Sequence, residues 1–161
     1  MAVFAYGRVG ARDPGAAEQR ADIERAGYTV DYWYTDDGIG GRTPAADRPG
    51  LRRLLDQIGE GETLVVSRLD RLGRDAVDVS ATVALLASRR VEVVVLELER
   101  CDLTSADGRL MLTMLSAMAA MERELLVERA QAKVARARTA GIKPLRSARA
   151  GSTAIGAGRD S

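Results

Sequence analysis

The stretch TLVVSRLDRLGRD, residues 63–75, decides how the rest of the chain is read. Its first half is β-branched and apolar, the composition of a buried strand, expected over residues 63–69. Its second half sets Arg68, Arg71 and Arg74 within seven residues at that strand's exit. A guanidinium does not deprotonate in practice, and beside a core it is costly unless something anionic meets its planar fork. Two further arginines, Arg8 and Arg48, stand in loops that also follow strands, so several forks can converge on one phosphate.

Outward from this stretch the chain alternates. Residues 75–89 read as a helix and residues 91–98 as a β-branched strand. Upstream, residues 3–6 read as a short buried strand. Asp13-Pro14 supplies an N-cap and a first-turn proline for a helix over residues 14–26, which Gly27 ends. TVDYWYT, residues 29–35, is a strand. A loop rich in Gly, Pro and Asp covers residues 36–49, and a short helix covers 51–58. This alternation predicts an α/β fold, a mainly parallel β-sheet with helices on both faces. Ligands of such sheets bind beyond the carboxyl ends of the strands. Arg8, the 36–49 loop, Arg71 and Arg74 all fall at that end.

After Asp107-Gly108 the pattern changes. From Arg109 to about Ala140 there is no proline or glycine, about 32 residues or about 48 Å of helix. Leu110, Met111, Met114, Leu115, Met118, Met121 and Leu125 recur three or four apart. A stripe this wide asks for a second partner besides the sheet, most simply the same helix of another subunit. The expected organisation is therefore an α/β part over residues 1–106 and a long helix over 107–143 belonging to the same domain, for which an ordinary core helix is the alternative to a dimerising one. The resemblance given below implies catalysis for the first and dimerisation and DNA contact for the second. A small-residue tail over 144–161 is expected to be disordered.

Charge is segregated. Residues 1–128 carry 16 Arg against 22 Asp and Glu, a balance of −6, whereas residues 129–161 carry +7. Arg129, Lys133, Arg136, Arg138, Lys143 and Arg146 belong to a run with no acidic residue, the footprint of a polyanion partner, which the resemblance given below implies is double-stranded DNA. A solvated helix end would also favour cations. The chain has one cysteine, Cys101, and no histidine. That excludes an internal disulfide and histidine-based catalysis, makes a zinc site improbable, and fits a cytoplasmic location. No apolar run approaches the ~20 residues of a membrane span. Asp36, Asp37, Asp47 and Asp70 stand among arginines that would repel a cation, so neither a metal nor a cofactor is expected. Gly38-Ile39-Gly40-Gly41 reads as a flexible loop, because it neither follows the first strand nor opens a helix.

Several separated motifs together resemble the catalytic domain of serine recombinases of the resolvase/invertase family, over roughly residues 1–143. They are Tyr6-x-Arg8-Val9, Gln19, Asp36, Asp47-Arg48-Pro49-Gly50-Leu51, Leu69-Asp70-Arg71-Leu72-Gly73-Arg74, and the pairs Glu122-Arg123 and Glu128-Arg129. The resemblance implies site-specific DNA strand exchange by homodimers that assemble into tetramers. A serine hydroxyl attacks a DNA phosphate, displaces the 3′ oxygen and leaves a 5′-phosphoseryl link. Arg8, Arg48, Arg71 and Arg74 would neutralise the phosphate, Asp70 would orient an arginine, and Tyr6, Gln19, Asp36, Glu122, Arg123, Glu128 and Arg129 would support the site. The family's pattern places that serine two residues after Arg8, where this chain has Gly10. Glycine has no oxygen to attack with, so an inactive site is expected. Family members commonly continue into a helix-turn-helix, and no such pattern is read here. The alternatives are a non-enzymatic, dimerising, DNA-binding regulator of an active relative, or an unrelated α/β anion-binding protein.

Overall fold

The computed structural model describes residues 1–141. Strands β1 (Val3–Val9), β2 (Tyr32–Asp37), β3 (Thr63–Val66), β4 (Glu92–Val95) and β5 (Cys101–Asp102) form one sheet in the order β2-β1-β3-β4-β5. The first four are parallel, and β5 runs antiparallel to β4. Helices α1 (Ala16–Arg25), α2 (Pro49–Gln57) and α3 (Ala76–Ser88) are the crossovers, and α4 (Ala106–Thr139) follows the sheet. The chain divides into two compact units, Met1–Ala117 and Met118–Ser161.

Alternation along the strands separates two cores. Phe4 and Tyr6 of β1, Leu64 and Val66 of β3, and Val93 and Val95 of β4 pack with Leu51 and Leu54 of α2 and Val79, Val83 and Leu86 of α3. The intervening Ala5, Val65 and Val94 pack with Ile23 of α1, helped by Tyr28, Val30 and Trp33. Helices thus cover both faces, two on one side and one on the other. The chain moves one way from β1 to β2 and the other way from β2 past β1 to β3 and on to β4. Right-handed crossovers then send α1 to one face and α2 and α3 to the opposite face. The order reverses between β2 and β3, around the carboxyl end of β1.

The structure moves several expected boundaries. β1 continues through Arg8 to Val9, where Arg8 stands opposite Asp36 and Val9 opposite Asp37 of β2. β3 stops at Val66, and Leu69–Arg71 is a single 3-10 turn that tucks Arg71 back under the sheet end. β4 is only four residues and gives way to another 3-10 turn, Leu96–Leu98. The edge strand β5 has no counterpart in the sequence reading, since two residues carry no period. Asp75 caps α3 through Asp78 N at 2.8 Å. α1, in contrast, starts at Ala16 after Gly15 with no side-chain cap. Asp13 does not cap it.

α4 begins three residues before the expected Arg109, at Ala106, and Gly108 lies inside it. A Cβ on Gly108 would sit 2.1 Å from Asp102 O and 2.5 Å from Leu103 Cα. The glycine leaves room for the Asp102–Leu103 backbone, which leads from β5 into the helix and packs against its first turn.

Candidate active site

β1 carries Arg8 on the same face as Phe4 and Tyr6, at the carboxyl end of the sheet. Its guanidinium is 4% exposed. Nη1 donates to Ile39 O at 3.0 Å and lies 2.9 Å from Asp13 Oδ2, and Nη2 is 3.7 Å from Asp70 Oδ2. Gln19 of α1 fixes the Arg8 backbone, donating from Nε2 to Arg8 O at 2.9 Å and to Pro14 O at 2.7 Å.

Arg71, at the end of the turn after β3, is fully buried. Its Nη1 donates to Asp13 Oδ1 at 3.0 Å and lies 3.2 Å from Asp70 Oδ1. One carboxylate, Asp13, therefore bridges Arg8 and Arg71, and its Oδ2 also accepts the Gly10 N–H at 2.8 Å. Burial alone would raise the Asp13 pKa. The Gly10 N–H and the two guanidiniums outweigh that, and the carboxyl titrates below its ordinary range. Asp13 is absent from the sequence-predicted site. It was read as a helix cap, because an Asp-Pro pair before an apolar-periodic segment is a good cap signal. The usable hint was its place just downstream of Gly10, in the loop leaving β1.

Arg48 has a different setting. It is fully buried at the N-cap of α2, beside Tyr6, and its hydrogen bonds among the described residues go to backbone carbonyls. Nε donates to Thr43 O at 3.0 Å, Nη1 to Arg71 O at 3.0 Å and Asp70 O at 3.3 Å, and Nη2 to Gly41 O at 3.4 Å. Burial lowers its pKa from the usual value. Asp36 braces the same corner. Its Oδ1 accepts Gly50 N at 2.7 Å, and its Oδ2 accepts Leu51 N at 3.0 Å and the Tyr6 hydroxyl at 2.7 Å. A carboxylate from β2 thus satisfies free N–H groups of the first turn of α2. Gly50 allows the approach, since a Cβ there would meet Thr35 O at 2.3 Å. Tyr6 is fully buried, and burial followed by the Asp36 hydrogen bond and charge pushes its phenol well above its ordinary value. It is a neutral donor with no route to a substrate.

The fold gathers Arg8, Arg71, Asp70 and Gly10, with Arg48 behind them and Tyr6, Gln19 and Asp36 as braces. Arg74 does not join. Its half-exposed side chain lies 3.7 Å from Asp75 Oδ2, while its N–H donates to Asp78 Oδ2 at 2.8 Å. Glu122, Arg123, Glu128 and Arg129 are exposed on α4, in the second unit. Farther along the same helix Lys133, Arg136 and Arg138 are exposed too. Helical spacing puts Arg129, Lys133 and Arg136 on one stripe and Arg138 on the opposite side. Lys143, Arg146 and the expected tail lie outside the described residues.

Position 10 looks into the guanidinium pair. A Cβ built on Gly10 lies 2.9 Å from Asp13 Oδ2, 3.1 Å from Arg8 Nη1 and 3.3 Å from Ile39 O. The site thus holds two buried forks joined by one partly exposed carboxylate, an arrangement suited to a tetrahedral oxyanion. None of the described helices is long and apolar enough to cross a membrane.

Known proteins share this architecture. The chain is 44% identical over 140 residues to the transposon Tn2501 resolvase of Escherichia coli, covering 86% of this chain and 72% of that one. It is 39% identical over 140 residues to the serine recombinase PinR of Escherichia coli strain K12, covering 86% and 71%. Among solved structures, the N-terminal catalytic domain of TP901-1 integrase superposes with a TM-score of 0.60 at 32% identity, over 78% of this chain and 98% of that one. The family description "Resolvase, N terminal domain" matches residues 3–143, from the start of β1 to just beyond α4. On that span, this chain belongs to the resolvase/invertase family of serine recombinases and carries its N-terminal domain.

Proposed function

We propose that this chain is a site-specific recombination domain that receives a DNA phosphodiester at the Arg8–Arg71 end of the sheet and, with Gly10 in the nucleophile's place, does not form the phosphoseryl bond. Position 10 carries this reading, because a side chain there would enter the space between Arg8 Nη1 and Asp13. A serine hydroxyl at that point would attack phosphorus, the bond to the 3′ oxygen would break, and the 3′ hydroxyl would leave with a proton. Arg8 and Arg71 would neutralise the charge that grows on the non-bridging oxygens. Glycine supplies a hydrogen atom instead.

The remaining roles follow the same reading. Asp70 orients Arg71, and Arg48, Asp36, Tyr6 and Gln19 hold the two forks in place. Arg74, half exposed, reaches DNA from outside the pair. On the long helix, Arg129, Lys133 and Arg136 meet the DNA backbone, where each neutralised phosphate releases counterions. Glu122, Arg123 and Glu128 support an assembled site, and α4 acts as the dimerisation helix. The working form is a homodimer on double-stranded DNA, with tetramers for an exchanging site. The test is Gly10→Ser, incubated with supercoiled DNA carrying paired recombination sites. A covalent 5′ adduct is expected from the variant and none from the natural chain. An adduct from the natural chain, or none from the variant, overturns the reading.

A second reading, a non-enzymatic partner that dimerises with and regulates an active relative, is favoured by exposed apolar side chains. Leu110, Met114, Met118, Met121 and Leu125 of α4 all face solvent. Light scattering of the chain mixed with an active relative should show mixed dimers. Strictly monomeric behaviour at high concentration argues against it.

A further inference from the structure

We infer that Asp13 is the resident anion of the Arg8–Arg71 site, holding the two guanidiniums together in the free chain and leaving when a phosphate or sulfate group enters. The inference rests on the reading of that site as a phosphodiester seat. Three donors converge on this one carboxylate. Arg71 Nη1 is 3.0 Å from Oδ1, Arg8 Nη1 is 2.9 Å from Oδ2, and the Gly10 N–H donates to Oδ2 at 2.8 Å. Two oxygens shared between two forks and an amide are what two non-bridging oxygens of a phosphoryl group would also take.

The setting favours exchange over a permanent ion pair. The arginine side chains are 5% and 1% exposed, while that of Asp13 is 17% exposed, in the loop between β1 and α1. The carboxylate is thus the more accessible member of the bridge. Donor capacity is also left over, since Arg8 Nε and Arg71 Nε are buried with no hydrogen-bond partner among the described residues. Asp70, the other carboxylate here, stands farther off at 3.2 Å and 3.7 Å and is half exposed.

Gly10 and the resident carboxylate belong together. A Cβ at position 10 would lie 2.9 Å from Asp13 Oδ2, just inside the distance real Cβ contacts keep, so a side chain there requires the carboxylate end to shift slightly and crowds it. A glycine at position 10 leaves the internal anion undisturbed. An internal ligand lowers the apparent affinity for an external one by the fraction of molecules whose site is free.

The experiment titrates the full chain with sodium sulfate at constant ionic strength and reads the Arg Nε–H signals by NMR. Asp13→Asn should bind sulfate about tenfold to a hundredfold tighter than the natural chain, the scale of one lost charge-assisted contact. Gly10→Ala, which keeps every charge, should also bind more tightly, by a smaller factor. Both gains should vanish when Arg71→Ala is added. A purely structural carboxylate would cost stability when replaced and leave sulfate affinity unchanged. Sulfate binding by Asp13→Asn no tighter than natural, or a gain that survives Arg71→Ala, overturns the inference. If Asp13→Asn does not fold, an unchanged affinity in Gly10→Ala overturns it alone. A sulfate gain with no DNA adduct from Gly10→Ser leaves Asp13 in this role and removes the recombination reading, and the reverse pair of results removes only Asp13.

Discussion

Arg48 and the Arg8–Arg71 pair are equally buried, yet their charges are met in opposite ways. Arg48 is enclosed by the carbonyls of Gly41, Thr43, Asp70 and Arg71, fixed parts of the backbone. Arg8 and Arg71 share the Asp13 carboxylate, the more accessible member of the bridge, on the loop between β1 and α1. The first is a staple between the 41–43 loop and the turn after β3. The second is a pair of forks whose counter-ion is replaceable. Burial alone therefore does not identify a functional arginine; the kind of acceptor that meets it, backbone carbonyl or side-chain carboxylate, has to be read as well.

The largest effect that sharpens this contrast is on stability. Arg48→Ala should cost on the order of 4 kcal/mol, because four inward carbonyls lose their donor at once and no water-sized rearrangement replaces a planar fork. Arg48→Lys should recover little of it, since one ammonium cannot reach carbonyls spread over two segments. Arg71→Ala should cost less, about 1–3 kcal/mol, because Asp13 keeps Arg8 and the Gly10 N–H. Urea denaturation compares them. Equal losses would break the distinction between staple and fork.

The next effects are in pH. Tyr6 is held neutral, chiefly by burial, so its pKa is raised in the folded chain. Its contribution is complete below the unfolded value of about pH 10 and is lost as pH climbs beyond it. Tyr6→Phe should cost about 1 kcal/mol near neutrality through the lost bond to Asp36, and this deficit should shrink above about pH 10. Asp13 titrates the other way. Its carboxyl is depressed, so its contribution is present above about pH 4 and fades as pH falls through the lower folded value. The stability gap between the natural chain and Asp13→Asn should therefore close on acidification. A gap independent of pH would mean that Asp13 is not the charged bridge.

Period and turn chemistry made the sheet, its helices and the arginine-bearing turns legible in the sequence. The long helix was legible because 32 residues without proline or glycine leave little else. What escaped depended on tertiary contacts. Asp36 was recognisable only as a family position, and nothing local says that a β2 carboxylate caps a helix starting at Pro49. Arg48 was grouped with the phosphate-binding arginines because its four carbonyl partners come from residues 41–43 and 70–71. Asp13 carried a plausible local reading, helix capping, that hid its long-range one.

The smallest expected stability effect falls on the arginine the sequence grouped most closely with Arg71. Arg74 shares the hallmark turn with it, but its side chain is half exposed and its one carboxylate contact among the described residues, Asp75, is 3.7 Å away. A pair of this kind is worth little in water, so Arg74→Ala should shift stability by no more than about 0.5 kcal/mol. Sulfate affinity at the Arg8–Arg71 site should be unchanged by it. DNA affinity should fall, and the dependence of binding on salt should flatten by roughly one counterion, because an exposed fork can meet a phosphate that the buried pair does not hold. Salt-titrated DNA binding of the natural chain and the variant measures this directly. If sulfate affinity falls as well, Arg74 reaches the buried pair after all, and the line drawn between forks inside the site and forks outside it has to move.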